Sequence, residues 1–330
     1  MAHIQKELEK ESEITTVAKT PSSPRFEIVD TTIRGDPLGA FQRINDILDL
    51  ISDIEHELPP MRISFSHHDN PNMLSDWRIK PWHWRLRELG RQENFPPIYK
   101  TGWIEACHLT SLARQNPPLL PPPSLHTELS FAQLLNTSSP KSFISTHRAT
   151  MDPCMHLVLL VTHGQFLSHD KGPYPHSSLM PQFSLCKTLL HHDVRPPVPY
   201  GWVSDLDSEA KWDLPWEKKV DERLNCRGST TGLFASPGKA WRHAHRSRLV
   251  SLTNAIEGNL TILSDCGFEN YSRIAPWVHY VPIQISYADL YDALAFFRTH
   301  GDLAESIATQ GKEWSRNFWK KEDMAAYLYR

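Results

Sequence analysis

Apolar residues recur at helical spacing early in the chain: Phe41, Ile44, Ile47, Leu48 and Ile51 fall on one face, and Pro59-Pro60 closes the segment. The period then changes. Residues 61–65, Met-Arg-Ile-Ser-Phe, alternate apolar and polar like a strand and run into a polar loop, Ser66-His67-His68-Asp69-Asn70-Pro71. A helix, a strand and a polar loop at the strand's carboxyl end match the unit of a doubly wound α/β sheet, in which ligands sit beyond the strand ends. Near the other terminus, Ser286-Tyr-Ala-Asp289 reads as a capping box, Leu290, Leu294 and Phe297 form a stripe, and Gly301 suits a C-terminal cap. A second helix follows through Leu303 and Ile307, with Trp314 and Phe318 beyond Gly311; these are core positions first.

Between these ends the chain is punctuated by proline. Residues 116–124, Asn-Pro-Pro-Leu-Leu-Pro-Pro-Pro-Ser, form a stiff extended linker, because consecutive prolines forbid helix. Residues 196–201 are a second proline-dense connector, and the domain change is expected shortly after it. Residues 1–34 are polar and broken by Pro21 and Pro24, which predicts a loose, disordered leader. The expected division is therefore a leader over 1–34, one lobe over 35–205 and a second over 206–330.

Composition narrows the classes. The 330 residues suffice for two domains and a substantial core. With 22% charged residues, a net charge of −3 and a pI near 6.6, there is no electrostatic case for nucleic acid. The longest aliphatic run, residues 157–161, is too short to span a bilayer, and the charged amino terminus has no apolar signal-peptide core. Five cysteines, far apart and odd in number, show no CxxC knuckle or paired disulfide framework, so the redox compartment stays open.

The densest chemistry lies in residues 213–219, Asp-Leu-Pro-Trp-Glu-Lys-Lys, and residues 226–232, Cys-Arg-Gly-Ser-Thr-Thr-Gly. Arg227 carries a permanent charge that can fork onto a phosphate. Gly228 and Gly232 let the backbone approach closely, and Ser229, Thr230 and Thr231 add hydroxyl donors. The plainer alternative is a small-residue turn. A His-His-Asp triplet occurs twice, at residues 67–69 and 191–193, among 18 histidines. Adjacent histidines on a strand point to opposite faces and no HExxH pair is present, so no metal site is expected. Asp69, at a strand end, could act as an acid–base residue or could form an Asx-turn or helix N-cap before Pro71.

Residues 213–232, then His245-Arg-Ser-Arg248-Leu-Val, then Pro276-Trp-Val-His279-Tyr-Val-Pro282, then a helical tail, resemble glycosyltransferase family 90, the capsule-associated or lipopolysaccharide-modifying type that includes protein O-glucosyltransferases. The fungal xylosyltransferase branch is most similar in wording, with Cys226 where the family has Trp. The resemblance covers roughly residues 51–330. It implies a GT-B-like fold of two Rossmann-like lobes, a UDP-linked nucleotide sugar as donor, a glycan or protein hydroxyl as acceptor, and neither cofactor nor metal. It further implies Asp69 as catalytic base and Arg227, Gly228, Ser229, Thr230, Thr231, Arg248 and His279 as donor-binding residues. The aromatics around His279 would line the donor cleft or form a buried parallel strand. Family members reside in the Golgi or endoplasmic reticulum, which implies the secretory pathway; without a visible signal or anchor, a cytoplasmic chain is the alternative.

One departure bears on activity. Between Val250 and Pro276 the family carries a longer stretch that includes a strand, a turn and a donor-binding helix start, and only residues 251–275 fill the interval here. An incomplete carboxyl-terminal lobe is expected. The rival functional reading is therefore a catalytically impaired remnant that acts as a binding or interaction protein.

Overall fold

The structure is a computed structural model that describes residues 14–33, 38–67, 70–79, 96–121, 143–168, 174–177, 182–197, 213–220, 232–233, 235–255 and 274–329. The architecture is mixed α/β. Strands β1 (Ile14–Lys19), β2 (Glu27–Thr31), β3 (Met61–Ser66) and β4 (Gln182–Phe183) form one sheet in the order β2-β1-β3-β4. β1 is antiparallel to both neighbours, and only β3 and β4 run parallel. The sheet is thus mixed, where the doubly wound, Rossmann-like reading implies a mostly parallel one.

The leader expected over residues 1–34 differs most. Its residues 14–33 supply β1, the strand between β2 and β3, and β2, the edge. Overall polarity concealed a short run, Ile14-Thr-Thr-Val17-Ala, that pairs along its whole length with β3, from Ile14 opposite Ser66 to Lys19 opposite Met61. Val17 is fully buried, and the Thr15 hydroxyl is shared with Thr31 on β2 at 3.0 Å. Lys19, itself buried, donates from Nζ to the carbonyls of Glu55 and Leu58 at 2.5 and 2.6 Å, and the Glu55 carboxylate accepts the N–H of Phe26. These polar ties join the first two strands to the chain that leaves the first helix.

That helix, α1 (Leu38–Ile51), forms where the apolar period predicts it. Ile44, Ile47 and Ile51 bury against Val17, Phe26 and Phe65, the helix-on-sheet layer of the core. β3 runs over the predicted strand with Ser66 added. A second core lies beyond it, built from Leu74, Trp103, Leu159, Leu160, Phe166 and Leu190 around a disulfide between Cys107 and Cys154. This bridge supplies what the cysteine spacing left open: 47 residues separate the partners, and no local spacing announces them. Two short helices, α2 (Val158–Thr162) and α3 (Gly164–Ser168), cover this second core.

Four further helices close the chain: α4 (His245–Ala255), α5 (Leu290–Thr299), α6 (Gly301–Phe318) and α7 (Lys321–Tyr329). α5 begins one residue after Asp289, whose carboxylate accepts the N–H of Gln284, so the expected capping box at Ser286 instead braces the preceding turn. Gly301 opens α6 rather than only ending α5. α7 returns to α1, with Leu328 packed against the first core.

Candidate functional site

The carboxyl end of β3 is the first place to look, because open α/β sheets carry ligands there. Asp69 and His68 lie outside the described residues, but the chain on both sides of them is fixed. The Nε2 of His67 bonds the Thr15 hydroxyl at 2.7 Å, and Arg43 on α1 donates to the His67 carbonyl at 3.3 Å. Past Asp69, the N–H groups of Asn72 and Met73 both donate to the carboxylate of Asp193, at 3.0 and 2.9 Å. Asp193 is wholly buried and also accepts the Ser184 hydroxyl at 2.5 Å. A crevice of about 10 Å³ lined by Arg43, Phe65, Ser66, His67 and Ser184 marks this strand end.

The second His-His-Asp triplet thereby has an architectural part. His192 bonds the Ser75 hydroxyl through Nδ1 at 3.1 Å and donates its backbone N–H to Met73. His191 bonds the Thr188 hydroxyl at 2.7 Å and lies edge-on to Trp103. Together with Asp193, these two residues clasp residues 72–75, in the stretch of chain that follows Asp69. The sequence repeat drew attention to the right residues without showing that one copy anchors the other's loop.

The second place is the corner reached by the glycine-rich run. Arg227, Gly228, Ser229, Thr230 and Thr231 lie outside the described residues, and Gly232, which ends the run, lies within them. Gly232 takes a φ of 90°, a left-handed conformation that glycine adopts without strain. It is confined on two sides. A β-carbon on Gly164, at the start of α3, would come within 2.7 Å of the Gly232 carbonyl oxygen, and one on Gly232 would stand 3.7 Å from the Cζ of Arg246. Leu233 then packs against Leu167, Ala240 and Ala244. Upstream, the Asp213 carboxylate pairs with Lys219 and with Lys312 of α6, tying the start of the motif region to the carboxyl-terminal helices.

Arg248 does not sit where Arg246 does. It is 2% exposed, donates from Nη2 to the carbonyl of Ser286 at 3.3 Å, and burial holds its pKa below the usual arginine range. Its neighbours include Tyr287, whose hydroxyl donates to the His245 carbonyl at 3.0 Å, so this end of α4 is laced to residues 286–287. Arg246 is exposed. Beside it the rings of His163 and His245 stack with centroids 4.9 Å apart. Burial, and then the Arg246 charge, press the His163 pKa down to about 4. Burial, the facing His163 and Arg246 bring His245 to about 3. Both imidazoles are neutral at neutral pH, leaving the local positive charge to the arginines. Sequence reasoning singled out Arg248; only the helix phase separates the two arginines.

His279 and its aromatic neighbours form neither a strand nor an open wall. Residues 276–280 make a tight turn in which Trp277 has a φ of 65° and its backbone N–H donates to the Tyr280 carbonyl. The Trp277 indole N–H donates to the Ile144 carbonyl, and the Tyr280 hydroxyl meets Nδ1 of His147, both at 2.5 Å. His279 accepts the Ala275 N–H at 2.9 Å and lies on the Trp314 ring of α6, centroids 4.8 Å apart. Gly311 permits this approach, since a β-carbon there would be 2.7 Å from the His279 carbonyl oxygen. The turn thus clamps the carboxyl-terminal helices to residues 143–147.

Comparison with known proteins bears on the same regions. Residues 260–330, which hold the Trp277–Tyr280 turn and helices α5 to α7, match the model of glycosyl transferase family 90. Protein O-glucosyltransferase 1 of Rattus norvegicus is 33% identical over 219 aligned positions, which take in 45% of this chain and 55% of the relative. Human protein O-glucosyltransferase 1 is 32% identical over 57 residues, 17% of this chain and 14% of that protein. An O-glucosyltransferase rumi homolog of Aedes aegypti is 36% identical over 59 residues, 17% and 15% of the two chains. The chain spans about half the length of the rat relative. Since 45% of 330 residues is about 149, about 70 of the 219 aligned positions have no counterpart in this chain. The family match and the rat relative agree: the carboxyl-terminal part of the chain is similar to glycosyltransferase family 90, and the chain is similar to the protein O-glucosyltransferases.

Proposed function

We propose that this chain transfers a sugar of the xylose or glucose class from a UDP-linked donor to a hydroxyl of a glycan or protein. The arrangement is GT-B-like, with an acceptor-side lobe over residues 35–205 and a donor lobe over 206–330. The acceptor oxygen attacks the anomeric carbon, the bond from that carbon to the diphosphate oxygen breaks, and the hydroxyl proton passes to the Asp69 carboxylate. Arg227, with Ser229, Thr230, Thr231 and the N–H groups of Gly228 and its neighbours, takes up the charge that grows on the leaving diphosphate. His279 supports the donor side through the turn that it anchors.

The observation that carries this reading is the clasp on the β3 loop. Asp193 and His192 hold Asn72, Met73 and Ser75, a few residues beyond Asp69, the kind of support from behind that a base at a strand end requires. The Cys107–Cys154 bridge supports placement in the secretory pathway, because such bridges persist in oxidising compartments. The fungal xylosyltransferase branch is the finer family assignment we favour, on the wording of residues 213–232. Among the described residues no helix is long and apolar enough to cross a membrane.

The experiment is transfer from UDP-xylose and UDP-glucose to a panel of glycan and peptide acceptors. Asp69→Asn is expected to abolish turnover while leaving UDP affinity within about twofold, since a base acts in the transition state. Wild-type turnover by the Asn variant would reduce Asp69 to a turn residue. A second reading, a catalytically impaired remnant that binds a glycan or partner, is favoured by the roughly 70 unmatched positions of the rat relative. It predicts UDP or glycan binding without transfer.

A further inference from the structure

We propose that the groove between α1 and α7 is a docking site for a short extended polypeptide segment that presents an arginine or lysine and an apolar side chain on the same side. Its cavity measures about 360 Å³, within the range of about 300–1,000 Å³ that ligand pockets occupy. Each wall is a stripe at helical spacing. α7 contributes Glu322, Ala325, Ala326 and Tyr329, and the end of α1 with the turn beyond it contributes Leu50, Asp53, Ile54 and Glu57. Positions seven apart on a helix span about 10 Å, so the groove is a trough as long as about three residues of extended chain. A single ion fills only part of such a trough, whereas a strand of peptide runs along it.

Charge selects the occupant. Leu50, which is 2% exposed, and Ile54, Ala325 and Ala326 give an apolar lining, while Asp53, Glu57 and Glu322 stand exposed beside it. Three carboxylates against the one cation of Lys321 leave the lining net negative. The fold does not use these acids up. Among the described residues Asp53 and Glu322 enter no ion pair, and the Glu57 carboxylate meets the His56 imidazole at 3.7 Å with both side chains exposed. At the start of α7 it is Asp323, not Glu322, that accepts the Lys320 N–H, at 3.2 Å. Asp53 stands just beyond the carboxyl end of α1, where the helix dipole disfavours an anion and where the last turn holds no basic residue. A cation seated between Asp53 and Glu57 offsets that repulsion. Arginine and lysine match both halves of the trough, since their aliphatic stems lie along the apolar lining while the head reaches the carboxylates, and the Tyr329 ring offers a further face. The trough adjoins the turn that leads into Met61 at the amino end of β3, whereas Asp69 follows the carboxyl end, so an occupant leaves the strand end proposed for transfer open.

The test is fluorescence anisotropy of the full chain with a labelled, end-capped peptide, Gly-Ser-Leu-Ser-Arg-Ser-Gly, whose leucine and arginine fall on one side when extended. Binding is expected, weakened about tenfold or more when the peptide's arginine is changed to glutamate, and weakened by added salt. The triple variant Asp53→Asn, Glu57→Gln, Glu322→Gln should bind about tenfold or more weakly at a melting temperature matched to wild type, and Ala326→Trp, which fills the trough, should lose the peptide. The glutamate peptide requires no variant and keeps the test decisive if one misfolds. Equal affinity for the two peptides, or unchanged binding by the triple variant, overturns the assignment. So does displacement of the peptide by N-acetylarginine amide at equal concentration, which makes the trough a site for a small cation, and so does a wild-type dimer in sedimentation that Ala326→Trp splits, which makes a second copy the occupant. Wild-type chain that binds neither peptide overturns it as well.

Discussion

His163 and His245 show what burial does to a titratable pair. Their stacked rings are neutral in the folded chain, at about 4 and about 3 against an ordinary 6.5, because desolvation and the Arg246 charge oppose a second cation. The sign follows from proton uptake. Above pH 6.5 both folded and unfolded chains hold neutral rings, and nothing is lost. Below it the unfolded chain takes up protons that the folded chain refuses, so stability falls as pH drops from about 6.5 to about 4, by on the order of 3 kcal/mol for His163 alone. Urea denaturation at pH 7.5, 6, 5 and 4.5 should show this acid limb, and His163→Asn should flatten it. An identical slope in wild type and variant would mean that other groups govern acid unfolding. Neither histidine was singled out from sequence, because a lone His carries no periodic signal. The contrast between Arg246 and Arg248 was hidden for a related reason: α4 has no clear apolar stripe to set its phase, so which arginine faces inward depends on partners such as Ser286 that are distant in sequence.

At the scale of elements, strong local period was legible and long-range pairing was not. α1 and β3 were readable because Ile44, Ile47 and Ile51, and then the alternation over residues 61–65, each repeat within one element. β1 was not, since Ile14-Thr-Thr-Val17 gains its burial from partners as distant as Ser66. The same holds for Cys107 and Cys154, whose 47-residue separation carries no motif, yet whose bridge stands in a core with Trp103, Leu159 and Phe166. Closing a loop of that length lowers the entropy of the unfolded chain by an amount worth about 4 kcal/mol in the chain-entropy treatment. Cys154→Ser is therefore expected to lower the denaturation midpoint markedly, and reductant should do the same to the wild type. Thiol titration of unfolded wild-type chain before and after reduction provides the check. If reductant left the melt unchanged, the bridge would not be contributing to stability. Asp193 belongs at this scale too: its family of bonds to Asn72, Met73 and Ser184 joins elements about 120 residues apart, a role that the repeated triplet suggested only as a coincidence of letters.

For the whole molecule the decisive quantity is the interval between Val250 and Pro276. The resemblance to the family implies a strand, a turn and a helix start there, and the rat relative has about 70 aligned positions without a counterpart in this chain. Among the described residues, Leu119, Val220 and Tyr291 are exposed by 93, 88 and 78%. A strand inside a parallel sheet is buried on both faces, so omitting one removes apolar contacts and ladder hydrogen bonds together. Against a total stability of about 5–15 kcal/mol, a loss of that kind is large. A version of the chain carrying the rat relative's intervening segment between Val250 and Pro276 is expected to melt at a higher temperature, to bind less hydrophobic dye and to transfer sugar faster. The untouched 330-residue chain should bind the dye readily or aggregate on expression, with transfer at the edge of detection. Melting followed by fluorescence, side by side with a transfer assay on both chains, reads all of these. A sharp cooperative melt and robust transfer by the untouched chain would mean that residues 251–275 already form a compact substitute for the longer segment.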